Sequence, residues 1–492
     1  MKRSLTDANN LPQQDDDRDQ RPIWGLTPSE FATFAITSLN KAGDLQWEFS
    51  SNTPGTKKSA NTIYWGMKLL DGSRLSDPRH SRRLEWARKL MALIMHAPAK
   101  GVAPSQNSMQ LFQQGYKWLL SWMAMRGLHY PCDLDVSAYL EDLSRLIAEH
   151  NDDDEITVSQ VTLALYILPW LWSERRGLQK WGVTGLRSNF FREHGINYYA
   201  KALATKASGW IPPLPDEVAI PLFNRVVWWL GEPAKDVLRL LECVIDPQAG
   251  TEFDVTTPQS RSGTRKQISG KGTQARQRRA DRFLAKFVFR TLPGESQPWH
   301  AALNDAYQHE HGILPKAQLR ILFDALRTAC ALCIQGFSGM RISELLGIEA
   351  GLHALTALPR GVRIEDSATG LYEVFLIHTV LSKTETGLPR EMDWVLGMRP
   401  KGSREEPLPV KALRLLNRLY APWRATAKSS RLILSGGSGN CLPLKSTAQG
   451  AMSSDPMRLD MKQFIARWVD LTGLPDESRH KSKDQDLEAL TK

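Results

Sequence analysis

Cysteine is scarce, with five in 492 residues. So sparse and odd a set gives no disulfide framework and points to a reducing compartment, the cytoplasm. Cys330 and Cys333 form one C-x-x-C, but no second pair completes a zinc tetrahedron. The spacing instead puts two small residues on one face of an apolar helix. Long apolar runs are missing too. The clearest, around Leu163–Trp172, is broken by Pro169 and falls short of the roughly 20 residues a membrane helix needs. After Met1-Lys2-Arg3-Ser4 the chain turns polar and acidic, with no apolar signal-peptide core. These absences argue against a membrane or secreted protein. There is no internal repeat, and His309-Glu310-His311 has no further ligand at helical spacing, so no metal site is expected.

What is present describes a folded chain. Hydrophobic residues make up 42% and charged residues 24%, and sixteen tryptophans supply large side chains to bury. At about 150 residues per domain, the length suggests roughly three structural units. The net charge of +10 is concentrated. Residues 261–290 hold ten Lys or Arg, among them Arg265, Lys266, Lys271, Arg276, Arg278 and Arg279, against one acid, Asp281. Such a tract, rich also in Gly, Ser, Thr and Gln, suits a polyanion, because each cation neutralises a phosphate and releases counterions. A solvated insertion without a partner explains the charge run alone equally well. Arg79, Arg82, Arg83, Arg88 and Lys89 predict a second basic feature, the cationic edge of an amphipathic helix, which in isolation reads best as a solvated face.

Periodicity divides the chain. Residues 1–22 are polar, with Asp15, Asp16, Asp17 and Asp19, and are expected to be a disordered tail. Residues 23–104 show short helical patterns of no assignable role. Over 105–208, Leu111, Phe112, Tyr116, Leu119, Leu120 and Met123 recur at helical spacing, then Val136, Tyr139, Leu140 and Leu143, then Val158, Val161, Leu165, Leu168 and Trp172. These predict a helical unit of about four helices. A Pro-rich linker, 209–216, separates it from 217–475, which is interrupted by the basic insertion at 247–300. A strong helix starts at Pro315, with Leu319, Leu322, Phe323, Leu326, Cys330 and Cys333 on one side. Val362–Glu365, Tyr372–Leu381 and Glu391–Val395 read as a small antiparallel sheet. Helices return at Val410–Tyr420 and Asp460–Leu471, before a charged tail, 476–492. The fold class expected is mainly α with a small antiparallel β-sheet.

One segment carries chemistry: Gly336-Phe337-Ser338-Gly339-Met340-Arg341-Ile342-Ser343-Glu344-Leu345-Leu346-Gly347-Ile348. Ser338-Gly339 ends one helix and another begins near Arg341. Arg341 is thereby fixed beside a turn, where a guanidinium can clamp two phosphate oxygens, and Glu344, one turn on, can hold it. As R-x-x-E alone this is an ordinary surface ion pair. The whole stretch resembles the first-arginine box of the tyrosine recombinase, or phage integrase, family, with Ser338 where Thr is usual and Ile348 at its end. Phe112, Trp118-Leu119, Trp122, Gly127 and Pro131 are similar to the opening of that family's helical core-binding domain. The resemblance spans about residues 105–475.

The resemblance implies a SAM-like helical core-binding domain followed by an α+β catalytic domain, incomplete at its C-terminal end. It implies double-stranded DNA as partner, assembly as a tetramer on paired sites when intact, and DNA integration and recombination of a mobile element. In the family a tyrosine attacks a phosphodiester and leaves a 3′-phosphotyrosine, with neither metal nor cofactor. Arginines stabilise charge on the phosphate and a lysine protonates the leaving oxygen. Arg341 matches the first arginine. Lys383, in the turn Leu381-Ser382-Lys383-Thr384-Glu385, matches the lysine. After Thr472-Gly473-Leu474-Pro475, where H-x-x-R is usual, His480 and Lys483 imitate that box poorly, and no tyrosine follows Tyr420. Tyr420 lies on the stripe of Leu413, Leu416 and Leu419, an ordinary structural position. A truncated or frame-disrupted reading frame would give this pattern, and this chain alone is expected to be inactive in cleavage. The alternative is a non-catalytic DNA-binding regulator or competitor. A helical scaffold whose basic tract binds RNA or a protein is a third reading.

Overall fold

The computed structural model describes residues 22–50, 53–151, 155–206, 214–245, 280, 283–303, 315–381, 390–437 and 439–475. The chain divides into two compact units, 1–51 with 58–211, and 52–57 with 212–492. Among the described residues the structure is mainly helical with two small antiparallel sheets.

The first unit opens with α1 (Pro28–Thr33), which Thr27 and Glu30 cap reciprocally: the Thr27 N–H donates to Glu30 Oε2 at 2.7 Å, and the Glu30 N–H to Thr27 Oγ1 at 3.3 Å. Strands β1 (Gln46–Glu48) and β2 (Thr62–Tyr64) pair antiparallel. Helices α2 (Ser81–His96), α3 (Met109–Met125), α4 (Val136–Asn151), α5 (Val158–Leu165), α6 (Leu168–Ser173), α7 (Arg175–Lys180) and α8 (Ile196–Leu203) follow. A single hydrophobic core runs through all of it, from Ile23 to Ala200. Helix α3 lies at its centre and packs on β2 and α5. Gly115 allows the approach, since a Cβ there would stand 2.8 Å from Ile167 Cγ1. The apolar period read over 158–172 is one pattern carried by two helices, because Pro169 opens α6 in its first turn.

The cationic edge expected on α2 is partly inside. Arg83 is 3% exposed, and its Nε donates to Leu128 O at 2.6 Å and its Nη2 to Met123 O at 3.4 Å. A guanidinium is thus spent on backbone carbonyls at and just beyond the C-terminal end of α3, where a cation is favoured. Lys89 is also buried, reaching Glu85 Oε1 at 2.7 Å and Trp181 O at 3.3 Å.

The second unit is built round one long helix. Its elements are α9 (Asp216–Trp229), α10 (Glu232–Ile245), α11 (Pro315–Ser338), α12 (Ile342–Leu346), β3 (Val362–Asp366), β4 (Tyr372–Leu381), β5 (Arg390–Pro400), α13 (Leu408–Tyr420) and α14 (Ser454–Trp468). Helix α11 packs against α9, α10, α13, α14 and β5. The stripe Leu319, Leu322, Phe323, Leu326, Cys330 and Cys333 is wholly buried. Both thiols are free, and burial pushes the Cys333 thiol up to about 12, so neither is a nucleophile or ligand at neutral pH. This helix is also long and apolar enough to cross a membrane by length and composition, which the search for apolar runs overlooked. In the fold it is the core helix, with 61% of its apolar window buried.

The sheet runs β3-β4-β5, antiparallel throughout, with a bulge between Phe375 and Leu376. Val362, Phe375, Ile377 and Leu396 face the core, while His378, Val395 and Met398 are exposed. Beside α9, four tryptophans meet edge to face. Trp229 stands 5.5 Å from Trp228, 5.6 Å from Trp299 and 5.0 Å from Trp468, between ring centroids. Trp299 is fixed by its indole N–H, which donates to buried Asp236 Oδ2 at 2.8 Å.

Candidate functional site: the Arg341 turn

Helix α11 ends at Ser338, and the chain leaves the helical conformation at Gly339. Ser338 Oγ turns back to donate to Ile334 O at 2.5 Å, and Gly339 takes φ +72°, a left-handed conformation that suits glycine. The Gly339 N–H closes the turn on Gln335 O at 2.8 Å, and Gln335 Nε2 donates to Met340 O at 3.2 Å. Arg341 follows in extended conformation as the N-cap of α12.

Glu344 holds this turn, though mainly through the backbone. Its carboxylate is completely buried, and Oε2 accepts the Arg341 N–H at 2.6 Å. Its Oε1 lies 3.7 Å from Arg341 Nη1 and makes no hydrogen bond. The sequence suggested that Glu344 grips the guanidinium; the short bond goes instead to the main chain. The Arg341 side chain remains 44% exposed, available to an anion. With five residues, α12 is too short to contribute much of a dipole, so attraction for phosphate rests on the guanidinium itself.

Of the other residues marked in the sequence, Lys383 and the basic set Arg265, Lys266, Lys271, Arg276, Arg278 and Arg279 lie outside the described residues, as do His309 and His311. The structure brings together Arg341 and Glu344. Among the described residues no group of His, Cys, Asp or Glu is arranged to hold a metal.

A second charged cluster went unread in the sequence. Arg327, on the buried stripe of α11, is 1% exposed and donates to Asp460 Oδ2 of α14 at 2.6 Å, with Asp324 Oδ1 2.9 Å away. Burial works against its charge, but Tyr420, Asp324 and Asp460 outweigh it and hold the guanidinium above its ordinary range. Burial likewise pushes the Asp460 carboxyl up, against the pull of Arg327. Arg320 pairs with the same Asp324, Nε to Oδ2 at 2.6 Å. The signal was present: Asp324 and Arg327 interrupt an otherwise apolar stripe three residues apart. Tyr420 is 1% exposed, and burial raises its phenol, so it cannot attack a phosphodiester from this position.

On the sheet, Asp393 is gripped by Arg363, Nη1 to Oδ1 at 2.6 Å and Nη2 to Oδ2 at 2.7 Å. His378 Nδ1 lies 3.0 Å from the same Oδ1. These contacts hold the Asp393 carboxyl well below the usual carboxylate range. Sequence spacing gave no hint of this, because the three residues meet only through the register of β3, β4 and β5. Comparisons of the chain with family models, curated proteins and solved structures find no match.

Proposed function

We propose that this chain is a cytoplasmic DNA-binding protein of the tyrosine recombinase type, with Arg341 as its phosphate-binding arginine. The observation that carries the reading is the Arg341 turn: a half-exposed guanidinium two residues after a left-handed glycine, its backbone locked to a buried carboxylate. The antiparallel strands β4 and β5 flank the segment that holds Lys383, the residue this reading makes the general acid. The basic tract at 261–290 adds phosphate contacts. Assembly on DNA would be as a tetramer on paired sites, without metal or cofactor.

A second reading, a DNA-binding regulator that does not cleave, is favoured by one observation. Tyr420 is buried in the core, with no phenol presented to a phosphodiester. On that reading Arg341 binds phosphate and no covalent adduct forms.

The test is duplex DNA binding by fluorescence anisotropy across a salt series. Arg341→Ala is expected to weaken binding about five- to tenfold and to reduce the salt slope by about 1. Unchanged affinity and slope would remove the phosphate role. Trapping with a nicked suicide duplex separates the two readings, because a covalent adduct requires a tyrosine nucleophile.

A further inference from the structure

Six residues from the N-terminal part of the chain, 52–57, belong to the second unit. The segment 53–57, Thr-Pro-Gly-Thr-Lys, makes a tight turn, with the Thr56 N–H on Thr53 O at 3.3 Å. Its middle is half-buried against two helix ends. At the C-terminal end of α12, Gly55 lies so close to Leu346 that a Cβ on it would stand 2.6 Å from Leu346 Cδ1. Pro54 sits against Gly347, where a Cβ would be 3.1 Å from Pro54 Cγ. At the N-terminal end of α14, Gly55 O accepts the Ser454 N–H at 2.9 Å. That is one of the donors a helix start leaves open, and the Ser453 side chain does not satisfy it. Lys57 Nζ adds an ion pair to Asp455 Oδ2 at 2.8 Å.

These contacts have a common consequence for Arg341. A five-residue helix does not hold its shape alone, since nucleation costs more than so few hydrogen bonds return. The position of α12 is therefore set by whatever packs on it. Arg341 is its N-cap, and Leu346, seated on Gly55, is its last residue. We infer that the 53–57 segment is a strap that positions α12, and through it Arg341, so that the phosphate site depends on a stretch of chain nearly three hundred residues earlier in sequence. The strap needs glycine at 55 on two counts: φ is +76°, and no side chain fits beside Leu346. The inference concerns α12 in any case; its bearing on DNA rests on the function proposed for Arg341.

Hydrogen exchange on the full chain tests it. Gly55→Val should unseat the strap and raise exchange in peptides covering 342–348 and 454–458 by about tenfold, while α11 peptides stay protected. A Pro54→Ala/Lys57→Ala double variant, which keeps the backbone turn, should give the same pattern at smaller amplitude. Unchanged exchange at 342–348 in both variants overturns the inference. So does a rise spread evenly over α11 and α12, which would make the strap a general stabiliser. The DNA arm is separate. Gly55→Val should weaken duplex binding about threefold in the wild-type background and not at all beside Arg341→Ala, the coupling expected of groups acting through one another. If Arg341→Ala leaves DNA binding intact, the functional reading fails while the exchange result still decides the strap.

Discussion

The two units answer a buried arginine differently, Arg83 in one and Arg327 in the other. In the first, Arg83 meets the carbonyls of Leu128 and Met123, and buried Glu174 takes the Ala99 N–H on both carboxylate oxygens, at 3.0 and 3.1 Å. In the second, Arg327 meets the carboxylates of Asp324 and Asp460. Charge answered by backbone fixes where a segment ends or turns, because the partner groups exist only at helix ends and loops. Charge answered by charge fixes which helices are neighbours, here α11 and α14, since a wrong neighbour leaves an ion unpaired in the core. The first arrangement is local punctuation, and the second specifies tertiary partners.

The sharpest way to break this comparison is to remove Arg327. Arg327→Leu leaves two partly buried aspartates without their shared cation and should cost the second unit about 3–5 kcal/mol in denaturant unfolding. Adding Asp460→Leu, which leaves Asp324 to Arg320, should restore much of that loss. No recovery in the double variant would mean that the charges do more than satisfy one another.

A smaller effect belongs to the first unit and to pH. Arg83 Nη1 donates to His80 Nδ1 at 2.8 Å, so the ring proton sits on Nε2, 2.8 Å from Ser73 Oγ, which itself donates to Asp71 Oδ1 at 2.6 Å. Burial, and then the neighbouring Arg83, hold the His80 imidazole below its ordinary pKa, and burial does the same to His96. The unfolded chain therefore takes up these protons first. Stability from both histidines is present at neutral pH and is lost as the pH falls below about 6.5 towards the folded values. Thermal unfolding at pH 7.5 and 5.5 should show the first unit melting earlier in acid, and His80→Gln should flatten that dependence. A first unit indifferent to this pH range would contradict the assignment. The smallest effect calibrates the others. Arg418 and Glu242 form an exposed ion pair at 2.7 Å, and Glu242→Gln should change stability by no more than about 0.5 kcal/mol.

Much of the fold was legible because it follows periodicity. Phe112, Tyr116, Leu119, Leu120 and Met123 are the buried face of α3, and only Leu111 of that stripe turns outward. The three strands were legible from their β-branched and aromatic residues, although β5 continues to Pro400, past the bulge that a two-residue period cannot register. The end of α11 was legible in Ser338-Gly339. Residues 23–104 were not. Their two short strands pair across thirteen intervening residues, and α2 turns two of its cations, Arg83 and Lys89, into the rest of the unit. At the site, Arg341 and Glu344 were visible as a spacing, whereas the direction of the Glu344 hydrogen bond is a property of the turn. The contribution of Pro54 and Gly55 had no sequence signal, because nothing local to a T-P-G-T-K turn names the distant helix ends it touches.

The tryptophans around α9 have an optical consequence. Rings held edge to face within 6 Å are excitonically coupled, and Trp228, Trp229, Trp299 and Trp468 come from three separate stretches of chain. Their near-ultraviolet dichroism therefore exists only while α9, the segment carrying Trp299 and α14 are all in register. The second unit carries its own label-free gauge of native packing, readable during the same titrations that probe Arg327 or Gly55.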